Sequence, residues 1–245
     1  MQTVETQKII DYLKDPSILS EIINYEQARL QKNFRSTHMN KKFFDFLVFY
    51  NPKLLRPMLI CKMDFGKTVE LVVYDVLNPE LPNKVEYQDI GMLRMNTEIY
   101  NSSMKIDLLS MEHNLLNEAD YKFMGIGGTM IKLSQHIMAN KEIDTLEIQA
   151  GAIGSLSCEE VERIYTRWGF KSNIINPGMH KAWNQTDIQA LKNTPISTFD
   201  ILPLESLTPE TLEELSDKAK FKYFTKHPSP IYNPYIPEQE TPFKK

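Results

Sequence analysis

No run of this chain is both apolar and long enough to cross a bilayer: the most apolar stretch, FFDFLVFY at 43–50, is broken by Asp45 and falls far short of a spanning helix of roughly 20 residues. The N-terminus, MQTVETQKII, lacks the basic start and apolar core of a signal peptide, so the reading is of a soluble protein. Cysteine is scarce. Cys61 and Cys158 stand far apart with no CxxC partner, which argues against a disulfide framework or a zinc site and for a reducing, cytoplasmic setting. His38, His113, His136, His180 and His227 form no HExxH or similarly spaced set, so no metal is predicted. Positive charge is not in excess either: the formal net charge is -4 and the basic residues are scattered, which leaves no electrostatic footprint for nucleic acid. Internal repeats and heptad runs are absent.

What is present suits a large globular domain with additions. Of 245 residues, 42% are hydrophobic and 24% charged, enough for a sizeable core. The first fifty residues read as helical. Asp15 and Pro16 give a cap followed by proline at the first helical position, and Leu19, Ile22, Ile23 and Leu30 recur at helix spacing, with only Glu26 out of place among them. From Pro57 the texture becomes β-rich. PMLICKMDF and TVELVVYDV join at Gly66-Lys67 as one hairpin, GMLRMNTEIY and MKIDLLSME join across 101–103 as a second, and 77–89 between them is a loop.

Further on, Ile126, Met130, Leu133 and Ile137 fall on one helical face that Asn140 terminates. Alternation in IDTLEIQA predicts a strand. A second helix follows, opened by a capping box of Ser157 and Glu160, carrying Cys158, Val161, Tyr165 and Trp168 on one face and closed by Gly169. Thr208 and Pro209 begin a last helix, and HPSPIYNPYIPEQETPFKK forms an extended, proline-rich tail. The expected divisions are 1–50, a helical segment packed on the core; 51–200, the main domain; and 201–245, a helix and tail.

Gly125, Gly127 and Gly128 in YKFMGIGGTMIKLSQHI need a reason, because three glycines in four positions weaken any regular element. A P-loop is excluded, since no GK followed by Ser or Thr occurs at the required spacing. A GxGxxG fingerprint has Met130 where the third glycine belongs, and the strands before it read as antiparallel. Two readings remain: a plain tight turn between strand and helix, or a pyrophosphate cradle built from helix N-terminal amides with Lys122 adding charge.

Residues 122–127, KFMGIG, resemble the Q/RxxGxG/A signature of the GNAT superfamily of acetyl-CoA-dependent N-acyltransferases, with Lys122 in place of arginine or glutamine. YTRWGF at 165–170 has the form of the Tyr-xxx-Gly-Phe with which that family ends its next helix, and a helix and a strand separate the two pieces in the order the family requires. The resemblance covers about residues 90–176. It implies an α/β fold of α+β type, with a mixed, mainly antiparallel sheet and flanking helices, here with a helical N-terminal addition and an extended C-terminal tail. It implies that strand 104–112 splays from strand 143–150 and that Lys122, Met124, Gly125, Ile126, Gly127, Gly128, Thr129 and Cys158 bind acetyl-CoA.

Departures are Cys158 where members often carry asparagine, Val161 where alanine is common, and a nine-residue connection, HNLLNEADY, before Lys122. By the resemblance Tyr165 is the general acid. Its packing alternative is a core aromatic on the face of Val161 and Trp168. Glu112 is the candidate base, its alternative a solvated carboxylate at a strand end. Cys158 is expected as a buried thiol that packs. The activity implied is transfer of an acetyl group to a primary amine by direct attack in a ternary complex, with the amine itself left open. The alternatives are a silent module of the same fold that holds coenzyme A or a partner protein, and an interaction domain docking through its tail.

Overall fold

A computed structural model describes residues 2–34, 43–78, 88–98, 103–110, 125–149, 157–172 and 178–226. Two helices come first, α1 (Gln2–Leu13) and α2 (Pro16–Phe34). The Asp15 carboxylate accepts from the Ser17 N–H at 2.8 Å and so caps α2, with proline next in line as the sequence suggested.

The expected helical segment does not run to residue 50. Phe44–Asn51 is strand β1, and its side chains enter both layers of the core: Leu47 and Phe49 on one face of the sheet, Phe44 and Val48 on the other. An aromatic-rich run covered on both faces has no clear period of two or of 3.6, which is why it reads ambiguously. β1 pairs antiparallel with β2 (Arg56–Asp64), and β2 with β3 (Thr68–Tyr74). Gly66 turns the second of these hairpins at φ 81, and the Asp64 carboxylate accepts its N–H at 2.9 Å. β4 (Asp89–Glu98) and β5 (Ser103–Ser110) form the next hairpin.

Then come α3 (Ile126–Asn140), β6 (Thr145–Gln149), α4 (Cys158–Arg167), β7 (Lys171–Ser172), β8 (Gly178–Ala182), α5 (Gln185–Asn193), β9 (Ile201–Pro203) and α6 (Pro209–Lys226). The sheet order is β7-β8-β6-β5-β4-β3-β2-β1-β9. Every pairing is antiparallel except β5 with β6, which α3 connects. The sheet is mixed and mainly antiparallel with flanking helices, the architecture that the resemblance implied. Because β9 pairs with β1, the expected divisions at 50/51 and 200/201 both fall inside one sheet.

One core layer packs α3, α4 and residues of every long strand; the other packs α1, α2 and α6 against β1 to β4. Glu26, the odd residue on α2, is fully buried in the second layer. Its carboxylate accepts a short hydrogen bond from the Tyr74 hydroxyl and one from Arg29 Nε at 2.6 Å. Arg29 Nη2 also reaches Glu70 at 2.5 Å, and Arg94 Nε donates to the same carboxylate at 2.6 Å. Two buried carboxylates are thus matched by two guanidinium groups and a phenol, the arrangement under which burial of charge is tolerated. Nearby, Arg56 grips the buried carboxylate of Asp75 with two parallel hydrogen bonds, 2.8 and 2.5 Å.

Candidate functional site

The parallel pair β5/β6 is hydrogen-bonded over a short length. Its register runs from Ser103 opposite Thr145 to Ile106 opposite Ile148 and stops there. At the same level the pairing of β5 with β4 shifts: Met95 faces Ile106 but Arg94 faces Leu108, so Asp107 is an extra residue, a β-bulge. A bulge bends its strand and ends regular pairing. β5 continues to Ser110 paired with β4, while among the described residues its pairing with β6 ends at Ile106 and Ile148.

α3 starts at that end of the sheet, because a helix connecting two parallel strands begins where the first strand finishes. Gly125 is its N-cap at φ 80, in the left-handed region that favours glycine, and no side chain caps the helix. The Thr129 N–H donates to the Gly125 carbonyl at 2.9 Å, closing the first helical turn. The N–H groups of Ile126, Gly127 and Gly128 have no acceptor within the helix, and the helix dipole adds positive potential there. Of the turn predicted to bind a pyrophosphate, these three amides are the donors the helix leaves over, while the Thr129 amide is used internally.

Gly127 and Gly128 also have a packing role. A β-carbon at Gly127 would come 3.3 Å from Cη2 of Trp168, and one at Gly128 would come 3.6 Å from its Nε1. The indole of Trp168 lies on the bare backbone of the first turn of α3. Close packing and an open run of amides are therefore properties of the same two residues.

Trp168 is placed by the end of α4. The Phe170 N–H donates to the Tyr165 carbonyl at 3.1 Å and the Gly169 N–H to the Thr166 carbonyl at 2.9 Å, with Gly169 at φ 88. This is a Schellman cap, and the apolar contact that accompanies such caps is Tyr165 on Phe170, ring centroids 6.2 Å apart. The YTRWGF pattern thus has a local physical cause. At the other end the capping box is formed: the Ser157 N–H donates to Glu160 Oε2 at 2.8 Å and the Glu160 N–H to Ser157 Oγ at 3.3 Å. Lys181 Nζ donates to the Trp168 carbonyl at 3.0 Å, and burial lowers its pKa from the ordinary lysine value.

Tyr165 is 3% exposed, with Val161 beside it and the Trp168 ring 5.6 Å away. Burial pushes its phenol up to about 12, so it is protonated at neutral pH. Among the described residues nothing hydrogen-bonds its hydroxyl. Cys158 departs from expectation: it is exposed, not packed. As the first residue of α4 it precedes the turn that reaches the core, which begins at Val161. Glu112, His113, Lys122 and Met124 lie outside the described residues, as do His38, His227 and the tail with Tyr232 and Tyr235. Trp183 packs against the α3 layer, under Lys181 Nζ at 5.0 Å from its ring centroid. Among the described residues no helix is long and apolar enough to cross a membrane.

No protein-family model matches the chain, and no curated protein matches it in sequence. Solved structures do resemble it. A protein described as an N-acetyltransferase from Lactobacillus plantarum aligns at 15% identity over 69% of this chain and 92% of its own, with a TM-score of 0.34. An acetyltransferase of the GNAT family from Staphylococcus aureus MU50 aligns at 10% identity over 69% and 96%, TM-score 0.33. Tetrahymena GCN5 aligns at 13% identity over 49% and 70%, TM-score 0.33.

Proposed function

We propose that the protein is an N-acetyltransferase that moves an acetyl group from acetyl-CoA to a primary amine. One observation carries the reading: among the described residues the β5/β6 pairing ends at Ile106 and Ile148, at the end of the sheet where α3 opens on three amides that have no acceptor within the helix. Amides of a glycine-started helix suit an anionic pyrophosphate, and a gap between strands suits an extended pantetheine arm. In this reading the N–H groups of Ile126, Gly127 and Gly128 bind the pyrophosphate, Lys122 adds charge, and Met124, Gly125, Thr129 and Cys158 border the same path. A backbone N–H of β5 beyond the bulge is the donor for the developing oxyanion. A carboxylate accepts the amine's proton, directly or through water, and Glu112 is the candidate the sequence offers for it. Tyr165, protonated and with no partner for its hydroxyl among the described residues, donates to the leaving thiolate.

A second reading is a silent module of the same fold that holds coenzyme A or a partner protein. It is favoured by the Schellman cap and the Trp168 contact, each of which accounts for a motif residue without any chemistry.

Thermal unfolding with and without millimolar acetyl-CoA tests both, because a ligand of the folded state stabilises it, by about 2.7 kcal/mol at 100 times its Kd. No shift removes acetyl transfer and coenzyme A binding together. If the shift is seen, thiol release in the presence of amines separates enzyme from module. Unchanged transfer by Tyr165→Phe removes Tyr165 as the acid.

A further inference from the structure

We propose that Glu147, with His180 beside it, receives and deprotonates the amine acceptor on the face of the sheet opposite α3. The inference rests on the acetyl-transfer reading and adds the acceptor side to it, with Glu147 in place of Glu112 as the group that takes the amine's proton.

Leu146 and Ile148 of β6 point into the core under α3, so Glu147 between them lies on the other face. Its cross-strand partner on β5 is Lys105 and on β8 is His180, and His180 in turn faces Lys171 of β7. Residues paired in this way share a face, so a row of four ionisable side chains crosses the sheet. The row lies one residue before Ile148, the last β6 residue paired with β5. Among the described residues, the core layer on this face takes residues from β1 to β4 and none from β5, β6 or β8.

Among the described residues, two of its members lack partners: the Glu147 carboxylate has neither a hydrogen bond nor an ion pair, and His180 Nδ1 is buried without a hydrogen bond. Glu147 and His180 are both half-buried, where an uncompensated polar group is costly unless a ligand completes it. A coenzyme held at α3 occupies the side that α3 and α4 cover, so a second substrate has to approach the thioester from this one. Here it meets a carboxylate, which attracts an ammonium and accepts a proton.

The step balances as follows. An ammonium gives one proton to Glu147, which releases it to solvent. The freed lone pair forms the C–N bond at the thioester carbonyl carbon as the C–S bond breaks. Tyr165 protonates the thiolate, and the second proton lost by nitrogen restores Tyr165.

The test uses the full chain with spermidine, phenethylamine and a lysine-bearing peptide as probes. Thiol release from acetyl-CoA is followed for wild type, Glu147→Gln and Glu147→Asp, with the acetyl-CoA stabilisation of each measured alongside. Glu147→Gln is isosteric and should lower kcat on the order of 100-fold with its acetyl-CoA stabilisation unchanged, and Glu147→Asp should fall between it and wild type. A loss under about ten-fold in Glu147→Gln overturns the inference, as does a wild-type protein that binds acetyl-CoA and acetylates none of the probes; both leave coenzyme A binding standing. If Glu147→Gln fails to fold, Glu147→Asp decides, and full activity there overturns the inference. Absence of any stabilisation by acetyl-CoA instead removes the acetyl-transfer reading itself.

Discussion

The indole of Trp168 takes up the space a side chain at Gly127 would need, with 3.3 Å between Cη2 and the position of the missing β-carbon. At Gly128 the nearest approach, 3.6 Å to Nε1, is ordinary contact. The two glycines should therefore answer differently to alanine. Gly128→Ala gains helix propensity, up to about 1 kcal/mol, without a clash. Gly127→Ala has the same gain set against displacement of a half-buried tryptophan. Thermal unfolding of the protein without ligand should rank Gly128→Ala above Gly127→Ala. If the amides also bind a pyrophosphate, both variants should lose part of the acetyl-CoA stabilisation, since a methyl group would hold the anion away from the backbone. A ligand response equal to wild type would leave packing as the whole purpose of these glycines.

Gly125 differs from both. Nothing lies within 4 Å of where its β-carbon would be, yet its φ of 80 is in the left-handed region. The cost of Gly125→Ala is a backbone cost alone, about 1 kcal/mol. The expected result is a lowered Tm with no loss recovered by trimming any neighbouring side chain. A Tm equal to wild type would mean that the N-cap adopts another conformation at no cost.

The glycine turn, its helix and the following strand and helix were legible because each carries a local rule: a break in propensity, a 3.6 period, an alternation, a capping box. The hairpins were legible for a similar reason, with Gly66 at a tight turn between β-rich runs. β1 was not, since its residues serve two core layers and follow neither period. β8 and β9, of 5 and 3 residues, are too short to show one. Glu26 looked like a fault in an apolar face, because its partners Tyr74 and Glu70 are far off in sequence and only the fold brings them together. Cys158 shares a helical face with Val161, yet the core does not extend to the first turn of α4. The early end of the β5/β6 pairing has no mark in composition, since nothing there announces a bulge at Asp107.

The two cysteines give a direct check of which helix face is open. Cys61 is fully buried, and burial pushes its thiol well above the ordinary range. Cys158 is exposed. A thiol reagent should modify one cysteine of the folded protein rapidly and the other only on denaturation, with peptide mapping placing the first at residue 158. Rapid labelling of both would contradict the packing of β2.

The buried charges under α2 make the strongest stability predictions. Glu70 accepts from both Arg29 and Arg94, so Glu70→Ala leaves two guanidinium groups without their shared partner and should cost about 3–5 kcal/mol. Tyr74→Phe removes one donor from Glu26 and should cost about 1–3 kcal/mol. Glu26 adds a pH signature. Burial raises its pKa above the ordinary glutamate value, more than Arg29 and Tyr74 lower it. A raised carboxylate pKa means that the folded state holds its proton more tightly than the unfolded state does. That contribution is fully present below the unfolded value and is lost as pH rises through the folded one. Glu26→Gln cannot titrate and lacks it. The Tm difference between wild type and Glu26→Gln should therefore move in favour of wild type as pH is lowered from neutrality toward 4.5, the ordinary glutamate value. A difference that moves the other way would show that Arg29 and Tyr74 outweigh burial and that the pair is held as an ion pair throughout.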